Sequence, residues 1–290
     1  MWIRCGNLKY WTLHMQREVR RCSSVSCQYV STSEQPVTYL MNSATKAKIY
    51  LVGVNHISAR SAEHVRHVIR HHRPNVVAVE LCKERAVSLL LARKMKERSR
   101  RNFMSMKGSI KENLLKYSLE YFYSYIGNET DGPLPGEELR VALEEGHAIG
   151  ARFLFMDEDF KVTIRKMSKE FSLWEFLMFF LRNRKTHNQT YPNLHGAFLR
   201  IDQDNISKFR DQTDCLLEPQ VIEEAIAMGD AYFPGLTRAL LHERNEHMVK
   251  GLRNMEGNVV AVVGAGHVPG MRRLWQEAEA QGEEINASFS

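Results

Sequence analysis

The sequence predicts an α/β fold in which a mostly parallel central sheet is flanked by helices and carries a helical insertion. Four short runs are apolar on both faces, which is typical of strands buried within a parallel sheet. Segments with the apolar spacing of helices separate these runs along the chain. The most apolar segment, residues 173–181, contains Glu175 and is about half the length that crosses a bilayer. We therefore expect this segment to be a core-facing helix of one α/β domain.

The first two predicted strands flank a helix. Residues 48–54 form the first strand and residues 58–72 carry helical spacing. A turn at Pro74 and Asn75 then leads into the second strand, residues 76–81. Two strands joined by one helix form a βαβ unit, so we expect them to lie parallel with a right-handed crossover.

The middle of the chain is predicted to be mainly helical. Helices are expected at residues 83–101 and 110–125, and again at residues 137–148 after a turn-rich stretch. The first of these is dense in Lys and Arg, which would suit phosphates or an anionic membrane. We prefer a solvated helix face, because consecutive leucines at residues 89–91 anchor the same element in a core. A third strand follows at residues 152–156.

The last part of the chain alternates helices with one long loop and a fourth strand. The strand is expected at residues 258–263, and the loop covers the polar stretch of residues 183–212. The helices are expected at residues 161–169, 173–181, 217–228, 236–255 and 269–280.

Residues 1–45 differ in composition from the rest of the chain. They contain five basic residues against two acidic ones and are rich in Ser and Thr after residue 22. This pattern is typical of a mitochondrial presequence, and it lacks the apolar core of a secretory signal. A plain disordered leader is the alternative interpretation. The leader carries half of the chain's net charge of +6, so we expect no nucleic-acid partner for the domain that follows.

A polar residue follows or ends each of the four predicted strands. These residues are His56, Glu80, Asp157 and His267, in the order of the strands. Ligands of open parallel sheets bind in the crevice outside the carboxyl ends of the strands. We therefore expect two imidazoles and two carboxylates to meet at one edge of the sheet.

This residue set suits a divalent first-row metal ion, for example Mn²⁺, Co²⁺ or Zn²⁺. Gly53 and Gly264 each begin a Gly-x-x-His arrangement, in which glycine permits close backbone approach. Each residue also has a structural interpretation. Asp157 can cap the next helix, Gly264 can begin an anion-binding loop, and His56 can be a satisfied buried imidazole. The combination on four strands favours function.

Several longer motifs resemble the TraB domain family, together with its PrgY-type and Tiki metalloprotease relatives. The resemblance runs in order from about residue 46 to residue 277, and it assigns residues 46–290 to one TraB domain of the Tiki and erythromycin-esterase type. The motifs are LVGVNHISARSAEHVRHVIRHHRPNVVAVELCKER, GEELRVA, VTIR, FPGLTRALLHERNEHM and VVAVVGAGHVPGM.

The resemblance implies a metal-dependent, peptidase-like hydrolase that acts on a peptide or small molecule and is associated with mitochondria. It implies metal ligation by His56, His267 and Glu80, and catalytic roles for Glu80, Glu138, Arg165 and Arg244. The pattern at the strand ends adds Gly53, Gly264 and Asp157 as supporting residues. In this mechanism a carboxylate accepts a proton from the attacking water, and Arg165 or Arg244 stabilises the developing oxyanion. Asn245 departs from the resemblance, which leads us to expect Asp there.

Two other functions stay open at this point. One is a non-catalytic adaptor at the mitochondrial outer membrane or at organelle contacts, which would bind a membrane or protein partner. The other is a small-molecule esterase or ligand-binding protein that uses the same pocket. We expect the protein at the outer surface of mitochondria, with a cytoplasmic location as the alternative.

Overall fold

The computed structural model describes residues 37–92, 136–172, 188–201 and 212–282, together with 174–175 and 178–179. Within these ranges the chain forms an α/β fold around a five-stranded, mostly parallel sheet, which confirms the predicted fold class. The strands are β1 Val37–Met41, β2 Lys48–Val54, β3 Val76–Val79, β4 Arg152–Phe155 and β5 Asn258–Gly264. The helix predicted at residues 110–125 and most of the leader lie outside the described residues.

The strand order is β1-β2-β5-β3-β4. Strands β2, β5, β3 and β4 are parallel, and β1 joins β2 in antiparallel pairing at the edge. The first two predicted strands, β2 and β3, are therefore parallel as expected. They are not neighbours, because β5 from the end of the chain pairs with both of them.

Strand β1 lies within the segment that the sequence analysis assigned to the leader, and no strand was expected there. Its side chains alternate in exposure along the edge of the sheet, and Tyr39 pairs directly with Tyr50 of β2. The indole Nε1–H of Trp275 donates to the carbonyl of Met41 at 3.1 Å. Pairing with β2 and this bond from a distant helix hold the strand in place.

The helices alternate with the strands and then follow one another before β5. They are α1 Ala59–His72, α2 Lys83–Ala92, α3 Glu137–Ala148, α4 Phe160–Glu170, α5 Pro192–Arg200, α6 Pro219–Tyr232, α7 Pro234–Thr237, α8 Glu243–Arg253 and α9 Val268–Gln281. A π-helical turn, Arg238–His242, joins α7 to α8, and a 3₁₀ turn, Ala265–His267, joins β5 to α9. The loop expected at residues 183–212 contains α5, so that prediction was wrong for residues 192–200.

Helices cover both faces of the sheet. On one face, alternate residues of β5 such as Val260 and Val262 pack with α1 and α3 through Val65, Ile69 and Ala142. This packing explains the two-sided apolar pattern of the strands, because residues that point to either face are removed from water.

The opposite face of the sheet packs against the last two helices. Val259 and Ala261 of β5 contact Met248 and Leu252 of α8 and Trp275 of α9. A third, smaller cluster joins α5 to α6 through Tyr191, Leu194, Ala197, Ile201, Cys215 and Val221. No helix in the described part of the chain is both long and apolar enough to cross a bilayer.

Candidate active site

The carboxyl ends of the four parallel strands place the predicted polar residues along one edge of the sheet. His56 lies just past β2, Glu80 directly after β3, and Asp157 just past β4. His267 ends the 3₁₀ turn that follows β5. Because β5 lies between β2 and β3, its turn brings His267 between His56 and Glu80.

Three of these side chains converge at Gly264, the last residue of β5. A Cβ atom at Gly264 would lie 2.9 Å from Nε2 of His56, 3.3 Å from Oε2 of Glu80 and 3.7 Å from Cδ2 of His267. A side chain at this position would therefore fill the space where the three groups meet. The three groups also lie well within the separation of about 10 Å beyond which they could not share one ion.

The orientation of His56 is set by a buried carboxylate. Nδ1 of His56 lies 2.6 Å from Oε1 of Glu138, which begins the buried face of α3 and has no exposed surface. When the ring is neutral, donation from Nδ1–H to this carboxylate leaves the lone pair on Nε2, the atom nearest to a Cβ at Gly264. The second oxygen of Glu138 is buried without a hydrogen-bond partner among the described residues.

His267 is oriented in the same way by an amide. Its Nδ1 lies 2.7 Å from Oδ1 of Asn245 on α8, so Nδ1 donates and Nε2 carries the lone pair when the ring is neutral. This Nε2 lies 3.2 Å from Oε1 of Glu80. Two acceptors at that distance need a proton or a cation between them, so Glu80 and His267 together form a site that attracts positive charge.

Arg244 supplies positive charge to two of the carboxylates. Its guanidinium forms an ion pair with Glu80 and donates to both oxygens of Asp157, at 2.9 and 3.0 Å. The same guanidinium donates to the carbonyl of Leu240 at 3.1 Å, within the π-helical turn before α8. Such π-helical turns occur often at functional sites. Arg85 of α2 adds a second contact to Asp157 at 3.2 Å.

Burial and charge act against each other at these groups. Burial raises the pKa of Glu80, but the nearby His267 and Arg244 outweigh it and hold the pKa well below its usual value. Burial lowers the pKa of His56, and the bond to Glu138 more than offsets this, so the pKa is raised. The pKa of Arg244 is raised by Glu80 and Asp157 despite its burial. The site therefore holds an ionised Glu80 beside a permanent cation.

A family model described as the TraB/PrgY/gumN family matches residues 40–287. The chain belongs to this family. The family resemblance drawn from the sequence motifs is thereby confirmed, and the matched range contains every residue of the site described above.

Relatives from distant organisms match the chain over most of its length. An uncharacterized protein of Methanocaldococcus jannaschii is 27% identical over 257 residues, which cover 85% of this chain and 58% of that protein. The TraB domain-containing proteins of Mus musculus and Homo sapiens are 28% and 26% identical, and each match covers 79% of this chain and 63% of the relative. The chain thus spans about three fifths of the length of these relatives.

Among the residues that motif matching assigned, Arg165 is not brought into the site. It lies exposed on α4, and the part of the chain that the structure describes shows no bond from its guanidinium to Glu80, Glu138 or Asp157. Gly53 packs against the turn that carries His267. A Cβ there would lie 2.9 Å from Cγ2 of Val268, so glycine allows β2 to approach the turn that carries His267.

The side chains of His56, His267 and Glu80 are of the types that bind a divalent ion, and their positions fit such a site in part. Two imidazole Nε2 atoms and one carboxylate are ligands that suit Zn²⁺, Mn²⁺ or Co²⁺ with open positions, and buried oxygens that orient both imidazoles are typical of metal centres. As the side chains stand, no group of three or more His, Cys, Asp or Glu within the described ranges is placed to hold an ion. Glu80 is instead engaged by Arg244 and by the backbone N–H of Gly264, at 2.6 Å from the latter.

A depression of about 380 Å³ borders the site at Asp157. Its lining combines apolar and charged residues, namely Cys82, Lys83, Phe155, Asp157, Glu158, Asp159, Val162 and His247. A larger depression of about 590 Å³ lies near Asn75 and Gly257 at the opposite edge of the sheet, and it contains none of the site residues. Of the two depressions, only the smaller one borders a residue of the site, and that residue is Asp157.

Two site residues were not assigned from the sequence. Asn245 was seen only as a departure from the expected Asp, and Arg85 was not singled out. Asn245 lies 22 residues before His267 on a different helix, so their contact depends on how α8 packs beside the turn after β5. No sequence spacing predicts such a contact, although a polar residue on the buried face of α8 is a usable signal.

Proposed function

We propose that this chain is a metal-dependent, peptidase-like hydrolase with His56, Glu80 and His267 as its metal ligands. The observation that carries the proposal is the matched orientation of the two imidazoles. Each ring has an oxygen acceptor at Nδ1. Nε2 of His56 borders the space beside Gly264, where Oε2 of Glu80 also lies, and Nε2 of His267 lies 3.2 Å from Oε1 of the same carboxylate. Oxygen partners at the second nitrogen are the usual support of metal-binding histidines.

When bound, a divalent ion such as Mn²⁺, Co²⁺ or Zn²⁺ supplies Lewis acidity at this point. Glu138 positions His56, and Asn245 positions His267. Glu80 is ionised at neutral pH because its pKa is well below its usual value, so it can serve as a ligand. Arg244, which contacts Glu80 and Asp157, is the arginine placed to stabilise a developing oxyanion.

A peptide or a small ester is the substrate class that we propose. The depression beside Asp157 offers apolar contacts from Phe155 and Val162 and charged groups from Lys83 and Glu158. Such a mixed lining suits an extended chain with one polar group directed at the site.

Metal analysis of the purified protein tests the proposal most directly. We expect about one equivalent of a divalent ion that resists dialysis, and we expect His56→Ala to lose it. His195→Ala is the matched control, because His195 lies on α5, a helix that contributes no residue to the site, and its loss should leave the metal content unchanged. Equal metal content in the wild type and the His56→Ala variant would contradict the proposal.

Turnover provides the second test. We expect the protein to cleave members of a peptide library in the presence of Mn²⁺, Co²⁺ or Zn²⁺, and we expect His267→Ala and Glu80→Gln to abolish cleavage. Ester hydrolysis without peptide cleavage would instead identify a small-molecule esterase that uses the same residues.

A second candidate function is a non-catalytic adaptor that retains the fold to bind a membrane or protein partner. The observation that favours it is the closed charge network, in which Arg244 already neutralises Glu80 and Asp157. Combined replacement of His56 and His267 by alanine separates the two functions. An adaptor keeps its cellular role in this variant, and a hydrolase loses it.

The cellular location that we propose is the outer surface of mitochondria. The basic, acid-poor composition at the start of the chain supports it. A fusion of residues 1–36 to a fluorescent protein tests whether this segment directs a protein to mitochondria. The fusion ends before strand β1, because β1 pairs with β2 and belongs to the folded domain. Mitochondrial fluorescence is the expected result, and diffuse fluorescence would favour the cytoplasmic alternative.

A further inference from the structure

Helix α1 carries a group of imidazoles at the end remote from the candidate active site. His67 and His71 are four residues apart and exposed, so they lie on the same face of the helix. Their rings are nearly parallel, at 12°, with centroids 6.0 Å apart. His72 follows directly and meets the ring of His71 edge-on at 4.8 Å.

The rings of this group are held in place from the sheet. Tyr50 of β2 stacks on His72 with centroids 3.8 Å apart, and Tyr39 of β1 packs against Tyr50. His72 in turn contacts His71. This row of rings restricts the rotamers of His71, and a ligand held in advance loses less entropy when it binds an ion.

The dipole of α1 favours a cation at this end of the helix, and Glu145 offsets part of the charge of the neighbouring arginines. His71 and His72 lie in the last turn of α1, where the carbonyl end of the helix dipole attracts positive charge. Arg70 is bound by both oxygens of Glu145, at 2.8 Å each, and Arg66 also pairs with Glu145.

We propose that His67 and His71 form a two-imidazole chelate for a first-row divalent ion, with water in the remaining positions. Metal–nitrogen bonds of about 2.0–2.1 Å place each ring centroid roughly 3 Å from the ion, so two rings on one ion have centroids roughly 4.5–6.4 Å apart. The observed 6.0 Å lies within that range.

This chelate differs from the proposed active site in its position and in the metal ion that it should prefer. At 1.5 Å per residue, His71 lies roughly 18 Å along α1 from the start of the helix, which is the end next to His56. Two nitrogen ligands without a carboxylate favour Cu²⁺ over the other divalent ions of the series. We therefore expect Cu²⁺ to bind most tightly, followed by Ni²⁺ and Zn²⁺.

Titration of the untagged full chain with Cu²⁺ tests the proposal. The titration is done with the His56→Ala variant, so that the proposed active site does not contribute to Cu²⁺ binding. An error in the proposed function would then leave the result for the chelate unaffected. We expect one tight Cu²⁺ equivalent, with nitrogen hyperfine structure from two imidazoles in the electron paramagnetic resonance spectrum. Removing one ring by His71→Ala should weaken binding roughly a hundredfold, because the second ligand no longer binds within the same molecule.

The matched control is His147→Ala. His147 is also exposed and lies in the last turn of its helix, α3, but Leu143 occupies the position four residues before it. We expect this variant to bind Cu²⁺ as its parent does, and we expect His67→Ala to behave like His71→Ala. Unchanged Cu²⁺ affinity in both His67→Ala and His71→Ala would overturn the proposal.

Discussion

Nδ1 of His56 lies 2.6 Å from Oε1 of Glu138, a carboxylate that is fully buried at the start of α3. The other oxygen of Glu138 has no hydrogen-bond partner among the described residues. A buried carboxylate with one oxygen unsatisfied costs stability. Through its other oxygen, Glu138 restrains the imidazole of His56.

Replacing Glu138 should therefore weaken metal binding without removing a ligand. We expect Glu138→Ala to lower the affinity for Mn²⁺ or Zn²⁺ about 10- to 100-fold, the range found for partners of metal-binding histidines. The affinity of Glu138→Gln should lie between those of Glu138→Ala and the wild type, because an amide oxygen still accepts a hydrogen bond from His56. Competition with a chromogenic chelator measures both values. Glu144→Ala, which removes an exposed carboxylate of the same helix, is the control, and equal affinities for all variants would count against the assignment.

Much of this arrangement follows from sequence patterns. Strands that are apolar on both faces are buried in parallel sheets, and the residues at their carboxyl ends share one edge whatever the strand order. His56, Glu80 and His267 could therefore be placed together before the fold was known. The position of β5 between β2 and β3 could not be predicted from the sequence, because strand order depends on packing between segments far apart in the chain.

The elements that sequence reasoning missed depend on distant partners. Strand β1 is five residues long and lies beside a Ser- and Thr-rich segment, and its pairing with β2 is visible only in three dimensions. Helix α5 buries Leu194 and Ala197 against α6, a contact that spans the polar stretch expected to be a loop. Motif matching likewise treated Arg165 and Arg244 alike, although only the second faces the site.

Asn245 offers a test of how His267 is held. We expect Asn245→Ala to weaken metal binding about 10- to 100-fold, because Nδ1 of His267 loses its acceptor and the ring can rotate or exchange its proton. Asn245→Asp should retain the affinity, since a carboxylate of the same shape accepts the same hydrogen bond. Isothermal titration with Zn²⁺ distinguishes these outcomes. Loss of binding in both variants would show that the site needs the amide nitrogen rather than the oxygen.

Arg244 and Arg165 should differ sharply in their effect on stability. Arg244 is the ion-pair partner of both Glu80 and Asp157, and its side chain is only 11% exposed. Arg244→Ala should lower the free energy of unfolding by about 3–5 kcal/mol, because it leaves buried carboxylates without a cation. Arg165→Ala, at an exposed position of α4, should change it by less than about 0.5 kcal/mol. Urea unfolding measures both, and similar losses would contradict the placement of Arg165 outside the site.

Glu279 links the turn after β1 to the last two helices, and this link should depend on pH. One carboxylate oxygen accepts from the backbone N–H of Ser43 at 3.1 Å, and the other pairs with the buried Arg253. Burial raises the pKa of Glu279, but these bonds more than offset it and leave the pKa lowered. A lowered pKa in the folded state adds stability above the unfolded pKa of about 4.3, and this stability is lost as the pH falls through the folded value.

Glu279→Gln should accordingly reduce the free energy of unfolding by about 1 kcal/mol at pH 7, a value that allows for partial solvent screening. The difference from the wild type should shrink below pH about 4, where the carboxylate of the wild type is also protonated. Urea unfolding at pH 7 and in mildly acidic steps down to pH about 3.5 follows this change. Glu277→Gln, on the same helix with a more exposed side chain and a looser pair to Arg273 at 3.7 Å, should show a small effect at every pH. A constant difference for Glu279→Gln across the range would mean that shape, and not charge, holds β1 to the helices.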